Sequence, residues 1–160
     1  MEKISPFLWF DTQAEEAANF YTSIFKNSKI NGITRYGDAG PGPKGSVMTV
    51  AFTLNGQDFV ALNGGPIFKF NESISFVINC DSQEEIDYYW DNLLQGGTPS
   101  QCGWLKDKFG LSWQVVPTIL PKLFQSKDPE KSKRVMQAMM KMVKFDIKTL
   151  ENAATSEVVG

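Results

Sequence analysis

An internal repeat is the feature of this sequence that most restricts its fold. Two stretches 69 positions apart carry the same order of aromatic, acidic and apolar residues. The matches are Phe7 with Phe76, Glu15 and Glu16 with Glu84 and Glu85, Phe20 and Tyr21 with Tyr89 and Trp90, and Ile24 and Phe25 with Leu93 and Leu94. Because a repeated pattern marks a repeated structural unit, we predict an α+β fold built from two similar halves.

The first half has the pattern of one strand, one helix and three further strands. Apolar residues of the helix recur three or four positions apart, after a cap at Asp11 or Thr12, and Asn55-Gly56 is a typical hairpin turn. Pro6 suits an edge strand, since its missing N–H leaves no bond of the sheet unmade. The predicted strands are 4–10, 29–36, 47–54 and 58–62, with a glycine-rich loop at 37–45.

The second half repeats this order in a shorter form. A strand at 74–80 precedes a helix capped by Asp81 or Ser82, and further strands are predicted at 101–106 and 110–117. We therefore expect one strand pairing fewer than in the first half. Two βαβββ modules, at about 3–63 and 73–117, would form a single domain of residues 1–154 together with a helical extension at 118–154.

A methionine-rich segment dominates the C-terminal extension. A helix is predicted to begin near Asp128-Pro129, because aspartate is a good N-cap and proline is favoured at the first helical position. The apolar stripe of this helix consists of Val135, Met136, Met139, Met140 and Val143. The stripe is suited to packing in the core or a dimer, or to forming a groove for a ligand or partner. Residues 155–160 are expected to be a disordered tail.

Charge and hydropathy argue against several classes of partner. The net charge is −2 and no basic segment occurs, so we expect no nucleic-acid partner. No apolar run reaches the roughly 18 residues of a membrane span, and the N-terminal residues lack a secretory pattern, so we expect no membrane partner and a cytoplasmic location. Cys80 and Cys102 lack C-x-x-C spacing and are expected to be reduced thiols.

The sequence contains no histidine, which restricts the chemistry of any site. Imidazole is the commonest protein ligand for zinc and related ions, so a metal would have to bind oxygen ligands. Ser-His-Asp and Cys-His nucleophile arrangements are excluded as well. The paired carboxylates Glu15-Glu16 and Glu84-Glu85 lie at predicted helix starts, where the helix dipole stabilises negative charge, so we interpret them as structural.

Strand alternation divides the predicted strands into two faces. One face is expected to pack on the helices through Phe7, Trp9, Phe59, Phe76, Ile78, Trp113 and Val115. The candidate ligand-binding residues of the opposite, cleft-lining face are Pro6, Leu8, Val60, Leu62, Ser75, Val77, Asn79 and Gln114, with Phe10 and Val116 beside them and Trp104 and Cys102 at the rim. This lining suits a small, partly apolar ligand. The alternative is that these side chains only fill the interior.

Several stretches of the chain resemble a known family. They are Leu8-Trp9-Phe10, Gln13-Ala14-Glu15-Glu16-Ala17, Asn19-Phe20-Tyr21, Cys102-Gly103-Trp104-Leu105-Lys106-Asp107 and Gly110-Leu111-Ser112-Trp113-Gln114. They are similar to the PhnB-like, or 3-demethylubiquinone-9 3-methyltransferase-like, branch of the vicinal-oxygen-chelate superfamily. That superfamily also contains glyoxalase I, extradiol dioxygenases and bleomycin-resistance proteins. The resemblance covers residues 4 to about 154.

The resemblance implies a cup formed by paired βαβββ modules, often closed by dimerisation, with metal ligands on the first and last strands of each module. The matching positions here are Pro6, Val60, Ser75 and Gln114. Hard divalent ions need several anionic or carbonyl oxygens, and these four side chains do not supply them. We therefore predict no metal and no cofactor.

These observations predict a metal-independent small-molecule-binding protein, with a homodimer as the expected assembly. The alternative is an enzyme of the same superfamily that acts on an aromatic or other small organic substrate; no catalytic residue is assigned. The common methyltransferases hold S-adenosylmethionine on a glycine-rich turn between a strand and a helix. The loop at 37–45 instead leads into a predicted strand, which argues against methyl transfer.

Overall fold

The computed structural model describes residues 2–155. The chain divides into two compact units, Met1–Phe70 and Asn71–Gly160. Each unit contains one of the two predicted modules, and the second unit also contains the C-terminal extension. The grouping of both modules into one domain stays a prediction. Of the predicted tail at 155–160, only Thr155 lies within the described residues.

The first unit is one βαβββ module. Its elements are β1 (Phe7–Phe10), α1 (Ala14–Ile24), β2 (Lys29–Arg35), β3 (Val47–Leu54) and β4 (Gln57–Asn63). The sheet has the order β1-β4-β3-β2, in which β1 runs parallel to β4 and the other pairs are antiparallel. The predicted hairpin turn is confirmed: Asn55 and Gly56 have φ angles of 47° and 86°, as a type I′ turn requires.

The start of α1 differs from the predicted cap. The N-cap residue is Gln13, and its side chain makes no capping hydrogen bond. Instead, the amide N–H of Ala14 donates to Oδ1 of Asn63 at the end of β4, over 2.8 Å. A side chain from a distant strand therefore satisfies a helix-end donor, which is why the local cap at Asp11 or Thr12 was predicted wrongly.

The second unit repeats the topology of the first. Its strands and helix are β5 (Ser75–Cys80), α2 (Gln83–Leu93), β6 (Thr98–Pro99), β7 (Trp104–Lys106) and β8 (Ser112–Pro117). The sheet order, β5-β8-β7-β6, has the same pattern as the first sheet. The expected loss of one strand pairing is wrong, because β6 is present and pairs with β7, although it has only two residues. Ser82 caps α2 as predicted, accepting a hydrogen bond from the Glu85 amide.

Each sheet has one face covered by the helix of its own module. On the first sheet, Tyr21 of α1 stacks on Phe52, with ring centroids 6.3 Å apart. On the second sheet, α2 packs against β8 and β7, where Trp113 and Leu105 are buried. We call the opposite face of each sheet its open face. On strands β1 and β4 the open-face residues include Phe7, Trp9, Val60 and Leu62, and on strands β5, β7 and β8 they are Ser75, Val77, Asn79, Trp104, Lys106, Ser112, Gln114 and Val116.

Three helices follow the second sheet: α3 (Ile119–Phe124), α4 (Pro129–Met139) and α5 (Ile147–Ala154). Asp128 caps α4, accepting a hydrogen bond from the Glu130 amide, as predicted. The predicted methionine stripe does not lie on one helix, because α4 ends before Met140 and Val143. Its exposure is divided as well, since Val135 is fully buried whereas Met136, Met140 and Val143 are exposed. None of the helices within residues 2–155 has both the length and the apolar content that crossing a bilayer requires.

The turn before β7 holds the C-terminal extension in place. The amides of Cys102 and Gly103 donate to the carbonyl oxygens of Met142 and Val143, each over 2.8 Å. Gly103 has a φ of 81°, and a Cβ at this position would lie 2.5 Å from the ring of Phe145. The glycine is therefore required both for the backbone conformation and for the close approach of the aromatic ring.

Candidate functional site

A hydrogen-bonded pair of neutral side chains lies on the open face of the second sheet. Nε2 of Gln114 on β8 donates to Oγ of Ser75 on the adjacent strand β5, over 2.8 Å. Ser75 and Gln114 are two of the four positions that the family resemblance matches to metal ligands. In the structure the two side chains are in direct contact through this hydrogen bond.

The two matched positions of the first module contribute no side-chain ligand. Val60 lies on the open face of β4, opposite Phe7 of β1. Pro6 precedes β1, and its carbonyl oxygen accepts a hydrogen bond from the Val60 amide over 3.0 Å. The backbone of Pro6 is thus used to pair the strands.

These residues do not fit a divalent metal ion. Such ions prefer several anionic or carbonyl oxygens, or imidazole and thiolate groups. Here the side-chain donors are one hydroxyl and one amide, which are already hydrogen-bonded to each other. Elsewhere in residues 2–155, no three His, Cys, Asp or Glu side chains are grouped closely enough to hold a metal.

The remaining predicted cleft residues divide between the two faces. Leu62, Val77, Asn79 and Trp104 lie on the open faces, as do Val60, Ser75 and Gln114. Leu8 does not: it lies opposite Ala61, and both residues are buried on the face that α1 covers. Phe10 lies two residues further along β1, on the same face as Leu8, and is also buried. The prediction for the faces of β1 is therefore wrong, and Phe7 and Trp9 replace Leu8 and Phe10.

A difference in turn length explains this error. Three residues, 11–13, separate β1 from α1, whereas two residues, 81–82, separate β5 from α2. The offset of 69 that aligns the helices therefore misaligns the strands by one residue. Because side chains alternate along a strand, a shift of one residue exchanges its two faces. The register matches Phe7 to Val77 and Leu8 to Ile78, so Pro6 matches Phe76, and its predicted match to Ser75 is wrong as well.

Two aromatic residues on β1 were missed as open-face residues. Phe7 is 59% exposed. Trp9 is partly covered by the segment that follows β4: its Nε1 donates to the carbonyl oxygen of Gly65 over 2.9 Å, and Phe68 packs edge-on against its ring. Both could have been found by aligning strands and helices separately, since the pattern of β4 fixes the faces of its parallel neighbour.

An ion pair stands at one end of the open face of the second sheet. Nζ of Lys106 on β7 contacts the carboxylate of Glu72, which lies just before β5. The pKa of the Glu72 carboxyl is lowered, chiefly because Lys106 donates a hydrogen bond to it. Among the described residues, Lys106 is the one ionisable residue on the open face of the second sheet. It was not among the predicted site residues.

Neither cysteine is placed as a nucleophile. Cys80 is fully buried, and burial, followed by the carboxylates of Glu85 and Asp81, raises the pKa of its thiol to about 12. Cys102 has its Sγ 3.5 Å from the carbonyl oxygen of Met139, in the turn that holds the C-terminal extension. The interpretation of both as reduced structural thiols agrees with these contacts.

The first unit contains a pocket of about 430 Å³ at the end of its sheet. Tyr36 is part of its wall, and its hydroxyl donates to the carbonyl oxygen of Asn63 over 2.5 Å. The charged groups of the wall are the carboxylates of Asp11 and Glu15. The other lining residues are Thr12, Pro41, Gly42, Pro43, Ser46, Val47, Gly64 and Gly65.

The glycine-rich loop beside this pocket does not fit the S-adenosylmethionine turn of doubly wound methyltransferases. That turn connects a strand to a helix, whose N-terminal amides face the ligand. The loop here connects β2 to β3. Two of its glycines serve packing, because Gly40 and Gly42 lie against the ring of Tyr36 where a Cβ would clash.

Comparisons with known proteins agree with the repeated architecture. A PhnB protein from Bacillus cereus is 40% identical, with a TM-score of 0.67 over 73% of this chain and 100% of that chain. Protein PA1353 from Pseudomonas aeruginosa is 22% identical, with a TM-score of 0.60 over 73% and 98% of the two chains. No curated protein matches the sequence.

A sequence model of the 3-demethylubiquinone-9 3-methyltransferase family matches residues 2–116. The match includes both βαβββ modules almost completely and ends before α3. The helices α3, α4 and α5 are thus an addition to the part that the family model describes. On this match, and on the likeness to the Bacillus cereus PhnB protein, the chain belongs to the 3-demethylubiquinone-9 3-methyltransferase family, with the duplicated βαβββ fold of the vicinal-oxygen-chelate superfamily.

Proposed function

We propose that this protein binds a small organic molecule without a metal ion, using the open face of the second sheet. The observation that carries the proposal is the direct hydrogen bond between Gln114 and Ser75. At positions that resemble metal-ligand positions, the chain has an amide and a hydroxyl that are suited to orienting a neutral or anionic oxygen. A flat apolar surface for the rest of the ligand is supplied by Val77 and Trp104, which flank Gln114 on the neighbouring strands.

This chemistry follows the usual division of labour in ligand sites. Apolar and aromatic side chains supply the contact area, and a few polar groups fix the orientation. Val77 is 49% exposed, so part of this face can still gain apolar contact when a ligand binds. Val60 and Leu62 have the same apolar character on the open face of the first sheet, and we propose them as ligand-binding residues of that sheet.

A thermal-shift screen tests the proposal. Purified protein in EDTA is heated with benzoate, trans-cinnamate, trans-cinnamamide, phenol and menadione, and in parallel samples without EDTA with Zn²⁺, Ni²⁺ or S-adenosylmethionine. A ligand that binds only the native state raises the melting temperature, by an amount set by its concentration relative to Kd. We expect at least one organic compound to do so in EDTA, and stabilisation by the metals or S-adenosylmethionine alone would refute the proposal.

Two variants locate the binding. Ser75→Trp places a large side chain on the open face and should remove the thermal shift. Asp91→Trp places the same side chain on the exposed side of α2 and should leave the shift unchanged. A shift that survives Ser75→Trp as well as Asp91→Trp would show that the ligand binds elsewhere.

A second candidate function is an enzyme acting on an aromatic or other small organic substrate. It is favoured by the description of the family, which names a methyltransferase. The strand-to-strand position of loop 37–45 argues against S-adenosylmethionine on a turn of the usual kind. Stabilisation by S-adenosylmethionine in the same screen would favour this candidate over metal-independent binding. A homodimer remains part of the proposal, and sedimentation equilibrium of the purified chain tests it.

A further inference from the structure

The end of the second sheet carries a row of polar side chains across three strands. Ser75 on β5 lies opposite Ser112 on β8, which in turn lies opposite Lys106 on β7. Directly opposite residues on neighbouring strands have Cβ atoms about 5 Å apart. The side chains of two serines and one lysine therefore start side by side on one face. Gln114 is the next residue of β8 on that face and is bonded to Ser75.

The hydroxyl of Ser112 in the middle of this row is buried without a hydrogen-bond partner in the described residues. Ser112 itself is fully buried. A buried hydroxyl without a partner costs free energy, and such groups are few in native proteins. A ligand oxygen held at the neighbouring ammonium group would give this hydroxyl an acceptor within reach of a side-chain rotation.

The ion pair shows where such an oxygen would bind. The Glu72 carboxylate already contacts Nζ of Lys106, so this ammonium group can receive a carboxylate on the side that Glu72 approaches. The side chain of Lys106 is 42% exposed, and that of Glu72 is 60% exposed. Exposed ion pairs contribute little to stability, because water and salt screen them. An incoming anion can therefore replace Glu72 at small cost.

An apolar surface begins one row further along the strands. Trp104, Gln114 and Val77 lie opposite one another across the same three strands. Successive rows on one face are two residues apart, which is roughly 6.5–7 Å along a strand. A ligand that spans both rows would have its anionic group at Lys106 and a flat apolar part against Trp104 and Val77.

We infer that the ligand of this protein is a planar organic anion, whose charged oxygens replace the Glu72 carboxylate at Lys106 and whose apolar part lies on Trp104 and Val77. This inference rests on the proposed function and adds the charge of the ligand and the residue that selects it. Glu72 is then a competitor for Lys106, and the two serine hydroxyls and the Gln114 amide complete the oxygen site.

Isothermal titration of the EDTA-treated protein with trans-cinnamate and trans-cinnamamide tests this inference, since the two compounds share a shape and differ in charge. We expect cinnamate to bind at least about tenfold more tightly, a preference that 0.5 M salt reduces. Lys106→Met should abolish the preference, and Lys106→Arg should retain it. Lys148→Met, which removes an exposed charge on α5, should leave the preference unchanged.

Glu72→Gln separates ligand competition from a structural role of the ion pair. If Glu72 competes for Lys106, this variant binds cinnamate severalfold more tightly than the unmodified protein. If the pair only supports the fold, the variant binds equally or more weakly, and the inference is wrong.

The two proposals fail in different ways. Equal binding of cinnamate and cinnamamide, with loss of both in Ser75→Trp, overturns the charge assignment and leaves metal-independent binding intact. Binding of neither compound, with a thermal shift from phenol or menadione but not from benzoate in the earlier screen, has the same meaning. Binding of no organic compound at all overturns the proposed function.

Discussion

Asp107 shows how a single buried charge shapes the neighbourhood of the candidate site. It is 3% exposed. Its Oδ1 accepts from the amides of Phe109 and Leu111, over 2.8 and 3.1 Å, and its Oδ2 accepts from Nε1 of Trp113 over 2.9 Å. One carboxylate thus closes the turn between β7 and β8 and fixes the indole behind Gln114.

We expect Asp107→Asn to lower the free energy of unfolding by about 2 kcal/mol. The amide group replaces one acceptor oxygen with a donor, so one of the three N–H groups loses its partner, and a buried donor left unsatisfied costs about 1–3 kcal/mol. Urea denaturation measures the change. Asp91→Asn, on the exposed side of α2, is the matched control and should change the stability by less than about 0.5 kcal/mol. Equal values for the two variants would contradict the role assigned to Asp107.

Among the elements, β1 shows most clearly where sequence reasoning stops. Its existence followed from the repeat and is confirmed, whereas its parallel pairing with β4 is a finding of the structure. The assignment of its faces was wrong, because one additional turn residue before α1 moves Leu8 to the helix-covered face. The shorter strand β6 was missed because two residues, Thr98 and Pro99, carry no alternation pattern.

The helices α4 and α5 are joined by a side chain that sequence patterns did not single out. Nε of Arg134 donates to the carbonyl oxygen of Ala153 over 2.9 Å, and Nη2 of Arg134 donates to the carbonyl oxygen of Ala154 over 3.2 Å. These are carbonyl groups of the last turn of α5, where no intrahelical partner remains. Arg134 therefore caps α5 from the neighbouring helix.

Replacing Arg134 by methionine should loosen α5 selectively. The substitution keeps a long apolar stem and removes both hydrogen bonds. A hydrogen bond from a charged donor contributes up to about 3 kcal/mol to stability. Hydrogen–deuterium exchange should become faster by at least about tenfold in Ile147–Ala154 and stay unchanged in β8. Lys133→Met removes the same charge at an exposed neighbouring position and should leave exchange in α5 as it was.

At the scale of the whole molecule, Cys80 links the buried core to the dependence of stability on pH. Burial and two nearby carboxylates raise the pKa of its thiol from 9.0 to about 12. The folded state therefore keeps the thiol proton at a pH where the unfolded chain has released it. Since the unfolded state then binds fewer protons, stability falls as pH rises from about 9 to about 12.

Cys80→Ala should make the stability less sensitive to alkaline pH. Between about pH 9 and 12, the unmodified protein should lose up to about 1.4 kcal/mol per pH unit more than the variant, which corresponds to one proton. Urea denaturation at a series of pH values gives both slopes. Below pH 8 the two slopes should be the same, and parallel slopes up to pH 12 would show that the thiol does not titrate differently in the two states.

The sequence by itself determined the duplicated βαβββ order, the helices α1 and α2, the start of α4 and most strands, because the hydrophobic periods of helices and strands and the Asn-Gly turn are local signals. It also showed that Pro6, Val60, Ser75 and Gln114, which the family resemblance matches to metal ligands, include no anionic side chain, since this depends only on residue type. The tertiary structure decided the faces of β1, the Asn63 bond that starts α1 and the row that places Lys106 beside Ser112. These depend on the register between distant strands, and a shift of one residue changes that register without altering any local pattern.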